Sequence, residues 1–184
     1  MKKISTLLFA FIFAGSMAFA QDNNSEVNQS GDRHSIAVSQ LGNGSNSDIS
    51  QHGHGNEADV NQEAVALSFF GIERGFQSSD VKQYGNHNEA TVKQTNILGM
   101  SNSADIKQVG KSNSAYQSQS TGFFGLFGVG QVAEGTQKGA HNSLKQVMDG
   151  GVHAELSASQ TGFGNRSFQY TDGRDIDGDV EQDG

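Results

Sequence analysis

Six glutamines, Gln29, Gln51, Gln83, Gln108, Gln137 and Gln160, are each followed by a glycine two residues on and by an asparagine or histidine five residues on. A chain that repeats itself at intervals of about 22 residues is constrained to stack one supersecondary unit on the next, because no single unit buries its own apolar side. The fullest copy runs through Ser45, Gln51, Gly53, Gly55, Asn56, Ala58 and Gln62. It reads as an extended arm, a tight glycine turn and a second arm of the same length.

With the last glutamine of each arm as zero, positions −6, −4, −2 and 0 share one face of a strand, since side chains alternate with period two. That face is inward. It carries Val27, Ile49, Val81 and Ile106 in first arms and Val38, Val60 and Val92 in second arms, flanked by glutamine, asparagine, serine and alanine. The anchors fall at 29, 40, 51, 62, 83, 94, 108, 119, 137, 148, 160, 171 and 182, and every spacing other than eleven lies between a second arm and the next first arm. Insertions therefore sort to one edge, where a loop lengthens without disturbing strand pairing. The expected fold is all-β, a two-sheet β-solenoid of about six and a half turns with repeats at 23–40, 45–62, 77–94, 102–119, 131–148 and 154–171 and a half-repeat at 176–182.

Stacking such copies at the ~4.8 Å strand spacing sets like residues above one another. The amides of Gln29, Gln40, Gln51, Gln62, Gln83, Gln94, Gln108, Gln119, Gln137, Gln160 and Gln182, with Asn56, Asn88, Asn113, Asn142 and Asn165, then form ladders, each carboxamide both donating and accepting. Glycines 31, 53, 85, 110, 139 and 162 (Gly31, Gly53, Gly85, Gly110, Gly139, Gly162) supply φ > 0 in the turns. A stack of this kind has two open ends, and no capping element is evident at Asn23, so head-to-tail addition is expected to yield a cross-β fibre.

Composition narrows the setting. Lys2 and Lys3, an apolar run from Ile4 to Met17 and the small residues Ala18 and Ala20 read as a secretory signal over residues 1–20, cleaved after Ala20 to leave a repeat domain at 21–184. Removing it takes two of the twelve basic residues and none of the twenty acidic ones, leaving a net charge of −10, which speaks against nucleic acid as a partner. With 0 cysteines in an exported chain, cohesion rests on packing and backbone pairing. Only 34% of residues are hydrophobic, a value that suggests disorder until the in-register alternation is recognised.

The motif Ser-x5-Gln-x-Gly-x-x-Asn-x-Ala-x3 to 5-Gln, complete at 45–62 and present in its second half through Gln83, Gly85, Asn88, Ala90, Gln94 and through Gln108, Gly110, Asn113, Ala115, Gln119, resembles the repeat of the curlins. With the looser copies the resemblance spans residues 23–182. It implies a subunit of curli-type amyloid fibres in Gram-negative biofilms, passed through the periplasm and a dedicated outer-membrane pore with accessory chaperones, and assembled with itself and another curlin on the cell surface. A minor nucleating curlin is the nearest alternative; a monomeric β-solenoid adhesin is the alternative from another class.

Other features have plain readings. Glu26, Asp48, Asp80, Asp105 and Glu134 recur at −3 of first arms and form a column of like charge that slows premature assembly, with Ca²⁺ binding as the rival reading. Phe69, Phe70, Phe123, Phe124 and Phe127 lie in two insertions, 63–76 and 123–130, on one edge, where they cover each other or dock a protofilament, a membrane or an accessory protein. His52, His54 and His87 are read as solvated turn residues rather than metal ligands. No nucleophile-base, paired-carboxylate or phosphate-loop arrangement stands out, so neither an enzyme nor a cofactor is expected.

Overall fold

Parallel strands cannot be joined by a hairpin; each return needs a crossover. Here the crossover out of one sheet is an arm of the other. The computed structural model describes residues 22–42, 44–65, 76–97, 101–121, 130–150, 154–172 and 176–184. Its strands are β1 (Asn24–Asp32), β2 (Ser35–Leu41), β3 (Ser45–His54), β4 (Glu57–Val65), β5 (Gln77–Asn86), β6 (Glu89–Ile97), β7 (Asn102–Lys111), β8 (Ser114–Thr121), β9 (Gln131–Ala140), β10 (Ser143–Asp149), β11 (Ala154–Phe163), β12 (Arg166–Asp172) and β13 (Ile176–Asp183). Odd strands form a seven-stranded sheet in chain order and even strands a six-stranded sheet. The fold is an all-β, two-sheet solenoid. The segment 1–20 and the phenylalanines Phe69, Phe70, Phe123, Phe124 and Phe127 lie outside the described residues.

Every strand pair is parallel, and like pairs with like: Gln29 with Gln51, Gln51 with Gln83, Gln83 with Gln108, Gln108 with Gln137, Gln137 with Gln160 and Gln160 with Gln182. Burial alternates residue by residue along β3, β5 and β7, which fixes the register, because a slip of one would turn every buried side chain to water. Between the sheets Ile49, Val81, Ile106, Val60 and Val92 are wholly buried, each stabilising by about 1.5–3 kcal/mol.

The C-terminal coils fill the space between the sheets with different side chains, Leu144, Met148 and Leu156 among them. Leu144 continues the column of Ala58, Ala90 and Ala115, and Leu156 that of Ala104 and Ala133, and glycines stand beside them. A Cβ on Gly135 would come 2.6 Å from Leu144 Cδ2, and one on Gly178 would come 3.0 Å from Leu156 Cδ2. Large and small residues thus complement each other, as a close-packed interior requires.

The turn has two left-handed residues rather than one. The glycine two after the glutamine lies at the end of the first arm, with φ of 118° at Gly53 and 117° at Gly85. A Cβ on Gly53 would sit 2.0 Å from the Gly85 carbonyl oxygen in the next coil, so the glycine is required by stacking as well as by φ. The second left-handed residue, four after the glutamine, is Arg33, Gly55, His87, Ser112, His141 or Gly164, with φ between 53° and 73°.

Candidate assembly site

The glutamine column of the seven-stranded sheet is a single directed chain of hydrogen bonds. Gln29 Nε2 donates to Gln51 Oε1 at 3.0 Å, Gln51 to Gln83 at 2.7 Å, Gln83 to Gln108 and Gln108 to Gln137 at 2.8 Å, Gln137 to Gln160 at 2.9 Å and Gln160 to Gln182 at 2.7 Å. The second amide proton ties the two sheets together. Gln83 Nε2 donates to Glu57 O, Gln108 Nε2 to Glu89 O and Gln160 Nε2 to Ser143 O. Both protons are therefore used, which is what allows wholly buried carboxamides.

The six-stranded sheet has a ladder that changes column. Gln40 donates to Gln62 at 2.9 Å, Gln62 to Gln94 at 2.8 Å and Gln94 to Gln119 at 2.7 Å. Above Gln119 stand Met148 and Thr171, which cannot continue an amide chain. The ladder resumes two residues earlier, from Gln117 to Gln146 at 2.9 Å and from Gln146 to Gln169 at 2.8 Å. Gln117, Gln146 and Gln169 are the residues the anchor pattern misses. The visible clue is Gln117-Ser118-Gln119, two inward amides on one arm. The change leaves the buried Gln117 Oε1 without a hydrogen-bond partner, facing the Val92 column.

The turn asparagines meet one another side chain to side chain and through the backbone: Asn88 Nδ2 donates to Asn56 Oδ1 and Asn113 Nδ2 to Asn88 Oδ1, both at 3.2 Å. The Asn88 and Asn113 backbone N–H groups donate to the Oδ1 of the asparagine one coil earlier, Asn56 and Asn88, at 3.0 and 3.1 Å. Asn142 and Asn165 continue the series onto Asn113 and Asn142. The Nδ2 groups of Asn56, Asn88 and Asn142 each clamp their own turn and the one above: Asn56 Nδ2 donates to His52 O and to Gly85 O, both at 3.0 Å. His34 stands in for asparagine in the first coil, its Nδ1 accepting from Asn56 N at 3.3 Å.

On the outer face Glu26, Asp48, Asp80, Asp105 and Glu134 lie on consecutive strands in register. Burial, and then the Asp80 charge, pushes the Asp105 carboxyl above its ordinary range. Lys82 donates to Asp80, and that hydrogen bond holds the ammonium above its usual value. His52 stacks on Tyr84 with ring centroids 5.3 Å apart, and His54 meets His87 edge to face at 5.4 Å. Among the described residues no group of three or more His, Asp or Glu side chains is arranged to hold a metal.

The two ends of the stack carry unpaired strand edges. Among the described residues β1 and β2 have a strand on one side only, as do β12 and β13. The directed glutamine chain runs to both ends: Gln29 donates into the stack, and Gln182 is its last member.

A family model described as the curlin associated repeat matches residues 20–53 and 99–131. Those stretches hold β1 to β3 in nearly their full length and β7 with β8, two parts of the same ladder. No curated protein and no solved structure matches the chain significantly. Repeat, register and fold agree with that model, and over those two stretches the chain carries the curlin associated repeat.

Proposed function

We propose that the chain is a secreted structural subunit, freed of residues 1–20, that self-assembles into curli-type extracellular amyloid fibres serving matrix and adhesion at the surface of a Gram-negative cell. The observation that carries this reading is the directed amide ladder meeting unpaired strand edges at both ends. A further copy would extend the glutamine chain that runs from Gln29 to Gln182 with the kind of bond already present inside one molecule. Its role is mechanical rather than enzymatic. An outer-membrane pore with accessory chaperones and a second curlin are the partners this role calls for; nucleic acid is not.

The test is direct. The chain lacking residues 1–20, released from denaturant at micromolar concentration, is expected to form fibres with a meridional reflection at about 4.7–4.8 Å. A lasting monomer under those conditions would overturn the proposal.

A further inference from the structure

The two sheets do not end level. The seven-stranded sheet reaches β13, whereas β12 is the last described strand of the six-stranded sheet, so a step one strand high stands at that end. Resting on the fibre reading above, we propose that successive copies join with a half-turn about the fibre axis, the β1 of the next copy covering β12 and its β2 covering β13. A half-turn exchanges the two sheets and reverses strand direction with them, so every new pair remains parallel.

Three independent observations fit this joint. First, the glycine turn is divided between the ends. Gly184 occupies the glycine position of the turn: a Cβ on Gly162 would lie 1.7 Å from Gly184 O, as each earlier turn glycine abuts the next. Asp22, with φ of 69°, has the conformation of the second left-handed turn residue. Asn23 behaves as a turn asparagine, accepting from Ser45 N and donating to Gly42 O, both at 2.9 Å.

Second, with β1 of the next copy over β12 in anchor register, its Asn23 stands over Asn165, where the series of Oδ1 acceptors ends among the described residues.

Third, Thr171 Oγ1 is buried without a hydrogen-bond partner among the described residues. The half-turn sets Gln29 of the next copy over it, and the hydroxyl donates to Gln29 Oε1. Over β13 the same joint sets Gln40 on Gln182, Val38 on Val180 and Ile36 on Gly178. Copies joined without rotation would place β1 over β13, leave the edge of β12 bare and leave Thr171 unsatisfied.

Because the chain has 0 cysteines, paired cysteines report the joint without background. Glu181, Ser39 and Asn28 are all exposed. The half-turn puts Ser39 of one copy beside Glu181 of the other, within the reach of a disulfide at about 4.4–6.8 Å between Cα atoms. Fibres of the S39C/E181C chain lacking residues 1–20, oxidised after assembly, are expected to run as a ladder of covalent multimers on a non-reducing gel, while N28C/E181C fibres stay monomeric. Cross-linking of N28C/E181C, or of neither pair, in well-formed fibres would overturn the half-turn alone. A chain that forms no fibres would remove both this joint and the assembly reading beneath it.

Discussion

Gly85 has no room for a methyl group: a Cβ there would lie 2.0 Å from the Gly110 carbonyl oxygen, itself fixed by the next coil. Backbone cannot swing aside as a side chain does, so G85A is expected to separate two coils and abolish fibre growth in a thioflavin assay. Gly164 is a sharp contrast, with a left-handed φ of 73° but nothing within 4 Å of its would-be Cβ. G164A should cost only the left-handed strain of about 1–2 kcal/mol, seen as a lowered guanidinium midpoint with fibres still forming. Equal effects from the two substitutions would show that φ alone, and not stacking, demands the turn glycines. Asp105 makes a second case at this scale. Its carboxyl titrates above the ordinary 3.8 because burial and Asp80 disfavour its charge. A raised carboxyl contributes stability that is full below 3.8 and lost as pH rises through the higher folded value. At neutral pH its charge therefore opposes folding, and D105N should raise the denaturation midpoint there, with the gain over the parent chain shrinking as pH falls toward 3.8. A gain that persists unchanged in acid would assign the effect to something other than titration.

Strand β8 is where the six-stranded sheet moves its amide ladder from one inward column to the next. Gln146 carries the consequence, accepting from Gln117, donating to Gln169 and donating also to Glu134 O at 3.0 Å and Leu156 O at 3.1 Å. Q146L keeps the volume but strands buried polar groups on four strands, each at about 1–3 kcal/mol. It is expected to destabilise more than Q117L, whose Oε1 is already unsatisfied; the order of the two guanidinium midpoints checks this, and the reverse order would deny that the ladder passes through Gln146. The same strand marks how far sequence could be read. Strand phase, sheet assignment and the inward columns are legible, because period-two alternation and the eleven-residue anchors depend only on covalent geometry and side-chain direction. The column change is not, because Met148 and Thr171 keep anchor positions that happen to hold no amide, and the Gln117-Ser118-Gln119 run alone does not say which of its two amides the next coil continues; the bond from Gln117 to Gln146 does. The second left-handed turn residue was hidden for a related reason. Arg33, His87, Ser112 and His141 fill it, so no residue type marks the position.

Stability in a stack is a sum of coil and interface contributions, and the terminal coils have one interface where inner coils have two. The burial patterns follow this: β3, β5 and β7 alternate between buried and accessible residues, whereas β1, β2 and β13 have no fully buried position. Amide exchange in the folded subunit before assembly should therefore be slowest in β5 to β9 and fastest at the two ends. Assembly removes that difference only at ends that become covered. In fibres β1, β2, β12 and β13 are expected to rise to the protection of the inner strands, since each gains the ladder it lacked. Protection confined to β1 and β13, with β12 still exchanging freely, would mean that copies meet without covering the step between the two sheets. Ends that exchange as fast in the fibre as in the subunit would mean that growth proceeds through the outer faces of the sheets, and the directed amide ladder would then stop at the boundary of each molecule.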